Sequence, residues 1–98
     1  MLHVVIFEDA PNSARQRRNH MEAHLAFLEA NANTIRSAGP LSDPDDGAGK
    51  GGLWIVDASS ADAVKRMVQT DPFMAAGVRQ SFVVYEWRQV FKDGSRVG

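Results

Sequence analysis

Asp71 lies directly before Pro72, where a helical pattern running to Gln69 gives way to a strand pattern that begins at Arg79. Proline fixes its own φ, lacks an N–H, and biases the preceding residue away from the helical region. The Asp71 carboxylate is therefore set by the backbone rather than carried on a flexible loop. A carboxylate held in this way can orient an imidazole, favour its charged form and leave the second ring nitrogen free for general acid or base work. His24 is the histidine best placed to meet it. It falls on the stripe Met21, His24, Leu25, Leu28 and Ala32, spaced at three- and four-residue steps, the pattern of the buried side of a helix. Each residue has a plainer reading. A backbone carbonyl would satisfy a core histidine, and Asp before Pro is a common turn opener. Spacing alone leaves both open. Asp57, Asp62 and Asp93 have similar turn or cap roles and no proline behind them.

Other constellations are weaker. His20 and His24 are four apart and could face one metal ion, but zinc needs at least one further ligand and no second close cluster supplies it. No metal and no cofactor is expected. Asp43, Asp45 and Asp46 lack the spacing and terminal glutamate of a calcium loop. Gly47-Ala48-Gly49-Lys50-Gly51-Gly52 has the composition of a phosphate loop without its order or its following helix.

The chain as a whole sets bounds. Its 98 residues with a formal charge of −1 describe one domain, residues 1–98, with no basic stripe for nucleic acid. There is no cysteine, which fits a reducing cytoplasm, the expected location. The opening run Leu2 to Glu8 is too short for a signal or a membrane span.

The elements follow from pattern. Leu2 to Glu8 is β-branched and aromatic and reads as a strand, with His3, Val5 and Phe7 on one face and Leu2, Val4 and Ile6 on the other. Ser13, with Gln16 three residues on, reads as the capping box of a helix to about Asn31. Arg15, Arg17 and Arg18 oppose the dipole of its first turns, and the plain reading for at least two of them is a solvated face. Thr34 to Ala38 is a short second strand closed by Gly39-Pro40, and Leu41 to Gly52 a long polar loop. Leu53 to Ala58 is the third strand. Ser59 or Ser60 caps a second helix ending near Gln69, and Phe73 to Gly77 makes one helical turn. Arg79 to Phe91 is a long last strand, and Lys92 to Gly98 a frayed tail.

This β-α-β-β-α-β order is that of the ferredoxin-like α+β fold, an antiparallel sheet with helices on one face. Apolar residues on the other face call for a partner, most simply a second copy packed sheet to sheet around a two-fold axis.

The chain resembles the YCII-related (YciI-like) proteins over nearly its full length. The resemblance rests on the opening strand, Ala23-His24-Leu25 with Phe27-Leu28, Ala38-Gly39-Pro40-Leu41, the glycine before Leu53, Asp71-Pro72-Phe73 with Ala76-Gly77-Val78, and a last strand ending near Trp87. It implies a dimeric α+β barrel and an active site built on a His–Asp pair, here His24 and Asp71. It also implies chemistry without a cofactor: a few relatives remove HCl from chlorinated hydroxyquinols. Many relatives carry Arg-Pro shortly before the histidine, where this chain has Met21 and Glu22. Another cation, Arg18 or Arg79, would have to serve an anionic substrate.

The expectation is a cofactor-independent enzyme on a small, cyclic or enolisable organic molecule. His24 would transfer the proton and Asp71 would orient it. The pocket would lie between the first helix, the Gly39-Pro40 turn and the Phe73 turn, with Gly39, Pro40 and Phe73 contacting substrate and Trp54 or Trp87 as apolar walls. The rival is a non-catalytic dimeric module for binding or regulation, because fold alone does not decide function. A third reading, oxygen-dependent monooxygenase-like chemistry, rests on fold analogy alone.

Overall fold

Burial separates the two faces of the first strand. In the computed structural model, which describes residues 1–98, β1 (Leu2–Asp9) buries His3, Val5 and Phe7 and leaves Leu2, Val4 and Ile6 partly or largely exposed. The buried set faces the helices. β1 is central in a four-stranded antiparallel sheet of order β2-β3-β1-β4, with β2 (Ile35–Ser42), β3 (Gly49–Asp57) and β4 (Arg79–Glu86). Helices α1 (Ala14–Ala30) and α2 (Ala61–Gln69) and the short α3 (Pro72–Ala75) complete the ferredoxin-like fold. Val5, Phe7, Trp54 and Val56 from the sheet pack with Ile35 and with Val64 and Val68 of α2. Burying each such side chain contributes about 1.5–3 kcal/mol.

The helix starts differ in how they are capped. Of the two serines expected to cap α2, Ser60 does so, its Oγ accepting from Ala63 N at 3.1 Å. Ser13 does not cap α1. Its hydroxyl instead donates to Ala10 O at 2.8 Å, closing the turn after β1. A serine hydroxyl near a turn has both options, and the local carbonyl wins here. Asp71 caps α3, accepting from Phe73 N at 3.0 Å, with Pro72 in the first helical position, where its missing N–H costs nothing. Gly77, at φ 76°, ends that turn in a conformation glycine adopts freely.

Three expected boundaries are corrected. β2 continues through Gly39-Pro40 to Ser42 and β3 begins at Gly49, so most of the supposed loop is a long hairpin. β2 is an edge strand, where a proline that cannot donate is tolerated. At the tip, Asp43 and Asp46 accept from Asp45 N and Ala48 N, each at 2.8 Å, so these acidic residues build turns. Gly51 is needed within β3, because a Cβ there would lie 1.7 Å from the Phe7 carbonyl oxygen. Finally, β4 stops at Glu86, and the tail is not frayed throughout. Phe91–Lys92 (β5) and Ser95–Arg96 (β6) form a small hairpin around Asp93 and Gly94, both at positive φ, as expected of Asp-Gly in a tight turn.

The sheet face opposite the helices is uncovered. Ile6, Val83, Tyr85 and Trp87 are between 40% and 58% exposed on it or at its margin. No helix is long and apolar enough to cross a membrane.

Candidate active site

His24 and Asp71 meet. His24 is the one buried residue of α1, and its Nδ1 lies 2.9 Å from Asp71 Oδ1. The His24 side chain is 10% exposed and that of Asp71 is fully buried. The proline corner explains the placement: the carboxylate that caps α3 through Phe73 N also reaches across to α1. Phe73, the residue after the proline, stacks on the His24 ring at 3.9 Å between centroids and 9° between planes. Carboxylate and aromatic ring thus fix the imidazole from two directions, and the Phe73 backbone N–H holds the carboxylate itself.

The other carboxylate oxygen, Oδ2, is 3.0 Å from Arg79 Nη2. This contact is off the hydrogen-bond axis, and Oδ2 has no aligned donor. A carboxylate facing a guanidinium and a backbone N–H acts as an acceptor. The nitrogen it meets on His24 must therefore carry a hydrogen, so Nδ1 is the protonated nitrogen. Nε2 makes no hydrogen bond within the protein.

Beside the imidazole is a cavity of about 100 Å³. Met21, His24, Leu25 and Leu28 of α1 form one side. Ala38, Gly39 and Pro40 of β2, with Gly52 and Trp54 of β3, form another. Phe7, Asp9, Arg17 and Arg79 complete the lining. Gly39 and Pro40 are thus placed as expected, but as strand residues. Phe73 is not in the lining: it braces His24 from within the core, fully buried. Of the two tryptophans, Trp54 lines the cavity, while Trp87 is 40% exposed elsewhere.

The cations are sorted by position. Arg15 and Arg18 are exposed. Arg17 pairs with Asp9, its Nη2 donating at 2.9 Å to both carboxylate oxygens, and ties the start of α1 to the end of β1. Arg79 lies inside, 3.5 Å from the centroid of Phe7. Burial lowers its pKa to about 10, against the opposing pull of Asp71, so it stays charged at neutral pH. The Arg17–Asp9 pair had no signal in sequence beyond opposite charges eight residues apart, and Asp9 stood out only as a strand breaker. His20 is exposed, and no three His, Cys, Asp or Glu side chains cluster as a metal site requires.

The YCII-related domain matches residues 1–88. The chain belongs to the YCII-related family. It is 30% identical to the protein YciI of Escherichia coli O6:H1, over 93% of this chain and all of that one. It is 29% identical to an uncharacterised Haemophilus influenzae protein at the same coverage. Among solved structures it resembles 5-chloro-2-hydroxyhydroquinone dehydrochlorinase of Burkholderia phenoliruptrix AC1100, solved in complex with 2,5-dihydroxybenzoquinone. That match has 34% identity and a TM-score of 0.77, covering 90% of this chain and 94% of the other. The cofactor-independent oxygenase SnoaB of Streptomyces nogalater shares the fold, with 15% identity and a TM-score of 0.53 over 90% of this chain and 92% of that one. One structural relative of this YCII-related chain is thus an enzyme named for its action on a chlorinated hydroxyhydroquinone.

Proposed function

We propose that this YCII-related protein is a cofactor-independent enzyme that moves a proton on a small, cyclic or enolisable organic molecule, in a lyase- or isomerase-like reaction. One observation carries the reading: a buried imidazole bonded through Nδ1 to a carboxylate, 2.9 Å apart, on the wall of a cavity. With Nδ1–H given to Asp71, the lone pair of a neutral His24 sits on Nε2. Nε2 takes a proton from the substrate, and the Asp71 carboxylate stabilises the imidazolium that forms. In an elimination of the kind the dehydrochlorinase's name describes, the C–H or O–H electron pair then moves through the substrate to expel chloride. The proton on Nε2 leaves to solvent. In an isomerisation the same proton returns to a different atom. The 34% identity and shared fold with that enzyme support the substrate type.

The assay is chloride release from 5-chloro-2-hydroxyhydroquinone, run beside solvent-deuterium incorporation into enolisable ring ketones. His24→Ala should lower the wild-type rate by about 10²–10⁴-fold, the usual worth of a positioned acid or base. Turnover by His24→Ala at the wild-type rate would remove the proton-transfer role.

The bare sheet face is the second part of the proposal. A contiguous apolar surface including Ile6, Val83 and Tyr85 is costly in water. A second copy, packed face to face about a two-fold axis, would cover it. Sedimentation equilibrium should give twice the chain mass, and a single-chain mass at all concentrations would contradict the homodimer.

A further inference from the structure

Arg79 is a charge without adequate company. Its side chain is 4% exposed, yet Nε and Nη1 have no acceptor, and Nη2 meets only Asp71 Oδ2, off axis. Phe7 and Trp54 hold the guanidinium, at 3.5 and 5.2 Å from their centroids. Guanidinium donors project in the plane of the group, so stacking over a ring leaves its N–H groups unpaired rather than satisfied. Arg79, Phe7 and Trp54 all line the cavity that His24 lines.

The charges point the same way. Asp9 is occupied by Arg17 through both oxygens. Asp71 is shared between Arg79 and His24. When His24 carries a proton, two cations therefore face one carboxylate. The lowered pKa of Arg79, about 10 and caused first by burial, is consistent with a guanidinium short of negative charge.

We propose that Arg79 is the receptor for an oxyanion of the ligand, and that the cavity takes a small planar organic anion bearing a carboxylate or an ionised enol or phenol oxygen. This rests on the reading of His24 given above and names the substrate class it implies. The oxygen docks on the guanidinium edge that borders the cavity, and the carbon frame lies against Phe7 and Trp54. An apolar cavity of about 150 Å³ accepts benzene, so a space of about 100 Å³ holds less than one full ring, with the remainder at the mouth. A weak acid arriving neutral gives its proton to His24 Nε2. The electron pair stays on the ligand oxygen, where Arg79 neutralises it. Charge and atoms balance without a further reactant.

The test is calorimetric titration of the wild-type protein with sodium benzoate, with 2,5-dihydroxybenzoquinone as the ionised enol, and with benzamide as a neutral analogue. At least one anion should bind about tenfold or more tighter than benzamide, the scale of one charge-assisted hydrogen bond. The tighter of the two anions then distinguishes a carboxylate from an enolate. Arg79→Gln should remove the preference. Adding Met21→Arg to that variant, a cation on the same cavity wall, should restore it. The Arg79 Nε–H resonance of the unsubstituted protein should also move with the preferred anion and not with benzamide, a readout independent of whether Arg79→Gln folds. Equal affinity for anions and benzamide, no binding of either anion at millimolar concentration, or an unmoved Arg79 resonance would overturn the proposal. Binding is read here without turnover, so failure of anion docking and failure of His24 as the proton carrier are separate results.

Discussion

Two histidines are buried between the sheet and the helices, and only one has a partner. His3, near the start of β1, is fully buried opposite Val56 and Glu86, and no protein group reaches either of its ring nitrogens. His24, toward the other end of the strand, has a carboxylate on Nδ1, a stacked aromatic ring and a cavity. Burial is common to both, so burial alone does not give an imidazole the partners that acid–base chemistry needs. The difference is the corner at Asp71-Pro72, which delivers a backbone-fixed carboxylate to one histidine and nothing to the other. A buried polar group without a partner costs stability, and one inside a satisfied network gains definition.

The comparison can be broken by making His24 resemble His3. Asp71→Asn leaves the Arg79 charge buried without its carboxylate and gives His24 a poor acceptor. Removing one member of a buried pair costs about 3–5 kcal/mol, so the urea midpoint should fall by far more than for a surface substitution. A midpoint within error of wild type would mean that Asp71 does not bind these two groups together. A smaller loss is expected from Phe73→Leu. It keeps the core nearly filled but removes the ring stacked on His24, and should cost about 1–2 kcal/mol while leaving the His24–Asp71 bond in place. A loss as large as that for Asp71→Asn would make the aromatic brace the principal support. The smallest effect should come from the other histidine. His3→Leu removes two unpartnered nitrogens from the core and should raise stability by about 1 kcal/mol without altering ligand binding or turnover. A loss of several kcal/mol there would show that His3 is satisfied after all, and the contrast between the two would fall.

Much of the architecture was legible because strand and helix periods are strong signals. The element order, a serine cap at Ser59 or Ser60, the Pro72 corner and the grouping of His3, Val5 and Phe7 on one face came from pattern. With apolar residues on both faces of that strand, the pattern did not say which face turns inward. The hairpin β2–β3 was not, because Gly and Pro are depleted in strands. At Pro40 the edge position removes the penalty, and at Gly51 close contact with Phe7 O makes glycine the fitting residue. The His24–Asp71 pair was suggested by the fixed carboxylate and by family likeness, since spacing could not bring together residues 47 apart. Arg79 shows why the rest was hidden. Alternation back through Tyr85, Val83 and Ser81 would carry it to the open face. The register shifts between Glu8 and Asp9, where Glu8 pairs with Ser81 but Asp9 with Arg79. That bulge takes up Gln80 and turns Arg79 into the cavity, a re-aiming typical of strand irregularities beside active sites. No period-two pattern announces it.

The proposed chemistry requires Asp71 to hold His24 with its hydrogen on Nδ1 and with Nε2 turned to the ligand. The ¹⁵N spectrum of the His24 ring in the wild-type protein tests this most directly. In either charge state of the imidazole the account requires a hydrogen-bonded Nδ1–H, and in the neutral ring a bare Nε2 whose signal moves when an anion enters the cavity. A bare Nδ1 with the hydrogen on Nε2 would contradict it.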